Sequence, residues 1–329
     1  MTGTQGTGRP VGPGPEVATL AAGSARVVPI PEQPRGILAL DIDGTLLGPG
    51  GHLGDRTRDA VHAAGEAGWL VTLATGRRWA STKPVADELG LESPLIVYNG
   101  ALIRDSVTAE ILFYNPLPHH VVEPLVRALV ARGLQPVVYE DVAAGERLLS
   151  GPAEHDPPIL AAWLAGIPVE RLSYDELADV GTAVRLLAYD EVAKVRGVED
   201  LAHELGLEYR TLWYPVEHDD KQMAELLHPS GTKAAALHAL AERYGLTMAE
   251  VVAAGDGHND VEMLAEAGVG VAMGQAPEEV RRHAALTIGH HVDEGLAAFI
   301  EQELLRGDGF PHHLSARQGA SATDSRAAG

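Results

Sequence analysis

The chain contains no cysteine, so disulfide frameworks, thiolate metal sites and cysteine nucleophiles are excluded. Cations are scarce. Lys and Arg number 25 against 46 Asp and Glu, for a net charge of −21, and only four of the cations are lysines. A field of that sign repels nucleic-acid phosphates and anionic lipid, which argues against a nucleic-acid or membrane partner. A small anionic substrate remains open, because a metal ion and a few placed cations reverse the field within one cleft. Long apolar runs are also missing. The stretch at 17–30 is broken by Gly23, Ser24, Arg26 and Pro29 and fits neither a signal peptide nor a membrane span. With 6 Gly and 6 Pro, residues 1–34 read as a disordered leader on a cytoplasmic protein. Residues 306–329, rich in Gly, Ser, Ala, His and Arg, read as a disordered tail.

What is present is globular. Apolar residues make up 45% of the 329 positions and charged residues 22%, which is ordinary usage for a packed core. Short unbroken apolar runs recur at 37–40, 69–74, 95–98, 251–254, 269–273 and 285–288, separated by segments rich in Ala, Leu, Glu and Arg. Strands buried on both faces and alternating with helices predict an α/β fold, a doubly wound parallel sheet with ligands at the carboxyl ends of its strands. Between the third and fourth runs lie far more residues than one crossover helix needs, so a second domain is inserted there. Helices over 121–131 and 198–205, strands over 136–139 and 182–189, and a returning strand region at 212–227 make the insert α+β. The expected division is a core at 35–114 and 214–305 and an insert at 115–213.

Chemistry-bearing residues sit just past these runs. Asp41 and Asp43, in Asp41-Ile42-Asp43-Gly44-Thr45-Leu46, are two carboxylates one residue apart at a buried strand end. Such a pair can divide nucleophilic attack from proton transfer; the bland alternative is a pair of loop-capping acids. Thr75-Gly76-Arg77 follows the second run as either a phosphate-binding turn or an N-cap threonine. Lys233 opens a predicted helix at a place where its charge gains nothing from the helix dipole, which suits an anion clamp or a plain exposed lysine. Gly255-Asp256-Gly257-His258-Asn259-Asp260 clusters hard oxygen ligands of the kind Mg²⁺ takes, and Asn259 or Asp260 could equally cap the next helix. Asn99-Gly100 reads as a turn or as a substrate contact. Arg147, Arg185 and Tyr189 in the insert read as surface or core residues. The adjacent histidines at 119–120, 290–291 and 312–313 lack the spacing of a chelating pair.

Taken in order, the segments LALDIDGTLL, TLATGR, SGTKAAAL and GDGHNDVEML, followed by VGVAMGQA, resemble the four motifs of the haloacid dehalogenase superfamily. The likeness is to Cof-type phosphatases with a class II, B-type cap, and it covers about residues 36–300. One departure is Ala234, where glycine commonly follows the lysine. The resemblance implies a phosphatase acting on a small phosphorylated metabolite, sugar phosphates first, through an aspartyl-phosphate on Asp41 with Asp43 as acid and base. It implies Mg²⁺ held by Asp41, the Asp43 carbonyl, Asp256 and Asp260, with the phosphoryl group held by Thr75, Gly76 and Lys233. Asn259, Asn99 and Arg77 would support the site or touch substrate. Alternatives are a phosphomutase of the same superfamily, and a non-catalytic module that binds a phosphorylated ligand. Substrate choice and oligomeric state are not encoded legibly.

Overall fold

The computed structural model describes residues 26–142, 145–215, 221–306 and 311. Most of the predicted leader and tail lie outside the described residues, as does the pair His312-His313. The described chain divides into two compact units, one spanning Asn115–Ser230 and the other built from the flanking segments.

The flanking unit contains β1 (Gly36–Leu40), α1 (Asp55–Glu66), β2 (Trp69–Leu73), α2 (Trp79–Leu89), β3 (Leu95–Val97), β4 (Leu102–Arg104), β5 (Ile111–Tyr114), α3 (Lys233–Arg243), β6 (Val251–Gly255), α4 (Val261–Glu266), β7 (Val269–Ala272) and β8 (Leu286–Thr287). Five strands form a parallel sheet in the order β8-β7-β6-β1-β2. Every residue of β1, β2, β6 and β7 is buried. That two-sided burial is why these strands read as continuous apolar runs rather than alternating ones. α3 and α4 cover the sheet through Ala236, Leu237, Leu240, Met263 and Leu264, which cluster with Ile37, Ala39, Val251 and Ala253. Since the sheet is parallel, its strands all end on one side, and their loops gather there.

Two features of this unit depart from the sequence-based expectation. β3, β4 and β5 form an antiparallel sheet of three short strands, with an irregularity between Ile103 and Arg104. Within the predicted leader, Val28 is buried, its N–H donates to the Gly90 carbonyl at 2.8 Å, and it bridges Leu91. The leader reading is therefore corrected from about this residue onward. A single valine docked over Gly65, where a side chain would collide with it, leaves no periodic signal among glycines and prolines.

The inserted unit holds a six-stranded sheet ordered Arg210–Pro215, Lys221–Leu227, Arg185–Glu191, Pro136–Val142, Gly145–Ser150 and Glu170–Arg171. All neighbours are antiparallel except the last pair. Helices His119–Ala131 and Val198–Leu205 bury Val122, Leu125, Leu129 and Leu201 against Val138, Leu186, Ala188 and Leu226 on one face. The expected boundary at 213 is corrected, because Arg210–Pro215 and Lys221–Leu227 are strands of the inserted sheet, and Lys221–Leu227 pairs on both sides within the insert. Arg147 lies on the surface between Glu140 and Glu170. Arg185 is fully buried, bonded to Glu225 at 2.9 Å and stacked over Tyr139 at 4.2 Å; Tyr189 is buried too. Among the described residues, no helix is long and apolar enough to cross a membrane.

Candidate active site

The loops at the carboxyl ends of β1, β2, β3 and β6, with the start of α3, bring the sequence-predicted residues of the core together. Asp41 continues the ladder beyond β1, its N–H donating to the Ala254 carbonyl at 3.0 Å, and its side chain is buried. Gly44 then turns with φ +81°, and a side chain there would strike the Asp256 carboxylate. Asp43 is partly exposed and held in a two-pronged ion pair by Arg77, with Nε to Oδ2 at 2.7 Å and Nη2 to Oδ1 at 2.5 Å. A planar guanidinium matched to both carboxylate oxygens fixes the plane of the acid as well as its position.

Thr75 is buried, and its Oγ1 accepts the Arg77 N–H at 3.1 Å. The N-cap alternative for Thr75 is corrected: α2 begins only at Trp79, with Arg78 at its cap. α3 is capped instead by Thr232, whose side chain accepts the Ala235 N–H. That cap aims the adjoining Lys233 inward. The Lys233 side chain is fully buried, with Nζ 2.6 Å from Asp41 Oδ1 and 2.5 Å from Asp260 Oδ1. The exposed-lysine alternative therefore fails. Asp260 Oδ2 accepts the N–H groups of Asp256 and Gly257 at 3.0 and 2.9 Å. Both oxygens of Asp260 are thus engaged, so it braces the loop and Lys233. Asn99 is buried with φ +55° and accepts from Asn259 Nδ2 at 2.8 Å, tying the loop after β3 to the loop after β6.

Oxygens of Asp41, Asp256 and Asp260 lie within 4.8 Å of one another. Against three carboxylates stands one ammonium, so ionising all three would leave a local excess of two negative charges. Burial, followed by the facing charges of Asp260, Asp256 and Asp43, holds Asp41 well above the ordinary carboxylate range despite Lys233. Burial and Asp260 push Asp256 up to about 7, against the opposing hydrogen bond from Gln275 and charge of Lys233. Burial alone would push Lys233 down, but Asp260 and Asp41 outweigh it and hold the lysine above its usual value. Crowded, charge-rich carboxylates with only oxygen donors fit a hard divalent cation.

One residue escaped the sequence reading. Gln275 lies just beyond β7 and donates from Nε2 to the Gly44 carbonyl and, at 3.2 Å, to Asp256 Oδ2. Its place past the end of a buried parallel strand is the signal that could have found it.

Residues 38–300 match the family described as haloacid dehalogenase-like hydrolase. Pyridoxal phosphate phosphatase YbhA of Escherichia coli is 30% identical over 82% of this chain and 98% of its own length. An HMP-PP phosphatase of Cronobacter sakazakii is 31% identical over 72% of this chain and 84% of its own. Among solved structures, a haloacid dehalogenase-like hydrolase from Bacteroides thetaiotaomicron superposes with a TM-score of 0.68 at 28% identity, covering 81% of this chain and 98% of that one. A subclass IIB sugar phosphatase, 22% identical, shares the fold with a TM-score of 0.66 over 81% of this chain and 98% of its own. The chain therefore belongs to the haloacid dehalogenase-like hydrolase family, as a Cof-type phosphatase.

Proposed function

We propose that the protein is a cytoplasmic, Mg²⁺-dependent phosphatase of small phosphorylated metabolites that works through an aspartyl-phosphate on Asp41. The observation that carries this reading is the buried contact of Asp41 with Lys233, inside a cluster of three carboxylates. A carboxylate pinned at a strand end by a buried ammonium is positioned to attack, and phosphoryl transfer demands mainly positioning and charge neutralisation. Asp41, Asp256 and the Asp43 carbonyl, with Asp260 in support, would hold Mg²⁺, and the bound ion would neutralise charge on the phosphoryl oxygens and the carboxylates.

The residues divide the work. An Asp41 oxygen attacks phosphorus as the ester P–O bond breaks, and Asp43, once it leaves the Arg77 fork and takes up a proton from solvent, gives that proton to the departing oxygen. Asp43 then takes a proton from the water that attacks phosphorus, and the P–O bond to Asp41 breaks. Lys233 has two of its three N–H donors on carboxylates, which leaves one for a phosphoryl oxygen. Thr75, whose Oγ1 already accepts from Arg77, can still donate its hydroxyl hydrogen, beside the Gly76 backbone.

The test is phosphate release with Mg²⁺ across sugar phosphates, nucleotides and cofactor phosphates, with Asp41→Asn beside the wild type. Sugar phosphates head the panel; pyridoxal phosphate and HMP-PP join it because relatives carry those names. The expected result is turnover of one class by the wild type and none by Asp41→Asn. Retained turnover in the variant removes Asp41 as nucleophile. Transfer of phosphate to a second hydroxyl without release identifies the phosphomutase alternative, and binding without turnover identifies the non-catalytic one.

The Arg77 fork yields a second expected result. General acid catalysis matters most for a poor leaving group. Arg77→Gln therefore loses roughly 100-fold in kcat/KM on an alkyl phosphate and less than about tenfold on p-nitrophenyl phosphate, whose phenolate leaves without a proton. Equal losses on both place Arg77 on the phosphate rather than on Asp43.

A further inference from the structure

Gln275 takes no part in the steps above, yet its amide touches three separate segments. Oε1 accepts the backbone N–H of His291 at 3.2 Å. That bond settles which end of the amide is oxygen, because a backbone N–H can only donate. Nε2 consequently faces two acceptors, the Gly44 carbonyl and Asp256 Oδ2. These are the two partners an amide nitrogen needs, and no polar atom of the side chain is wasted. The Asp256 carboxylate also lies against Gly44, Oδ2 nearest, at a point where even a Cβ has no room. Asp256 Oδ2 is thus met both by the bare Cα of Gly44 and by the Gln275 amide.

We propose that Gln275 is a positioning residue for divalent-cation binding. By holding Oδ2 of Asp256 and the Gly44 carbonyl together, it keeps one carboxylate orientation and ties the Asp41–Gly44 turn to the loop after β6. This rests on the reading of Asp256 as a metal ligand. Groups that orient a metal-binding side chain through a hydrogen bond typically contribute as much to affinity as a weak ligand does. Gln275 suits that role better than a lysine or glutamate at 275. A lysine offers no acceptor for His291, and a glutamate would set a second carboxylate against Asp256.

The experiment is calorimetric titration of the full chain with Mg²⁺ alone, comparing wild type, Gln275→Leu, Gln275→Ala and Asp256→Asn, with thermal unfolding in EDTA alongside. Gln275→Leu is expected to weaken Mg²⁺ binding by roughly 10- to 100-fold. Its kcat should recover as Mg²⁺ is raised, with KM for the substrate at saturating Mg²⁺ unchanged. Gln275→Ala, which leaves space for a bridging water, should lose less, and it remains informative if the leucine variant does not fold. Wild-type Mg²⁺ affinity in the Gln275 variants, together with weakened binding in Asp256→Asn, overturns the proposal and leaves Asp256 as a ligand. A lowered unfolding temperature in EDTA with unchanged affinity also overturns it, since the residue is then only a structural tie. Unchanged affinity in Asp256→Asn overturns the underlying reading of that aspartate and the proposal with it.

Discussion

Replacing Lys233 with methionine is expected to abolish turnover and to lower the free energy of unfolding by about 3–5 kcal/mol. The lysine side chain has no exposed surface and contacts two carboxylates that are themselves buried. Methionine fills much the same volume, so the loss is electrostatic rather than a cavity. Removing the ammonium leaves Asp41 and Asp260 facing Asp256 with no cation among them, and removing one partner of a buried pair costs far more than the pair contributes. Asp260 still has the N–H groups of Asp256 and Gly257, whereas Asp41 loses its ammonium donor, so Asp41 is the group displaced. Denaturant unfolding with and without Mg²⁺, beside phosphate release, checks both halves. A variant that unfolds like the wild type shows that the cluster tolerates its own repulsion, and electrostatic loss is then not what Lys233 guards against.

Gly100→Ala is expected to be damaging for a different reason. Gly100 has φ +94°, and a Cβ there would run into the Thr232 carbonyl and the Lys233 backbone nitrogen. Left-handed strain and a collision between two backbones together cost roughly 3 kcal/mol or more, a fall of about 6–12 °C in melting temperature for a unit of this size. Activity should fall further than stability implies, because whatever yields carries the start of α3 and hence Lys233. Gly133→Ala supplies the comparison: its φ is +70° with nothing within 4 Å of the added carbon, so it incurs the backbone strain alone. Equal melting temperatures for the two variants would falsify the close-approach argument. Scanning calorimetry and kcat/KM of both proteins decide it.

The parts legible in the sequence are those where one physical constraint acts on a run of residues. β1, β2, β6 and β7 are covered on both faces, so each appears as an unbroken apolar run ending at a polar loop, and Asp41, Thr75 and Asp256 stand at those ends. What stayed hidden depends on single residues or on pairs far apart in the chain. Val28 docks as one side chain among glycines and prolines. Nothing in the spacing of Arg77 says that it will grip Asp43, which lies 34 residues earlier. Gln275 is an isolated amide whose meaning comes wholly from the three loops around it. The strands at 210–215 and 221–227 are legible only as one returning strand region, because both carry mixed polar and apolar residues with no run that marks either one.

The central pairing of the parallel sheet joins β1 to β6, and Asp41 to Lys233 spans 192 residues of intervening chain. Contacts of such long sequence separation form late, since the chain between them must first be closed into a loop. During synthesis, the inserted unit is complete before β6 leaves the ribosome, so it can fold as a unit while β1 still lacks its β6 partner. The cluster of Asp41, Asp256, Asp260 and Lys233 is therefore assembled only when the last third of the chain arrives. A product terminated before residue 233 carries Asp41 with no ammonium beside it.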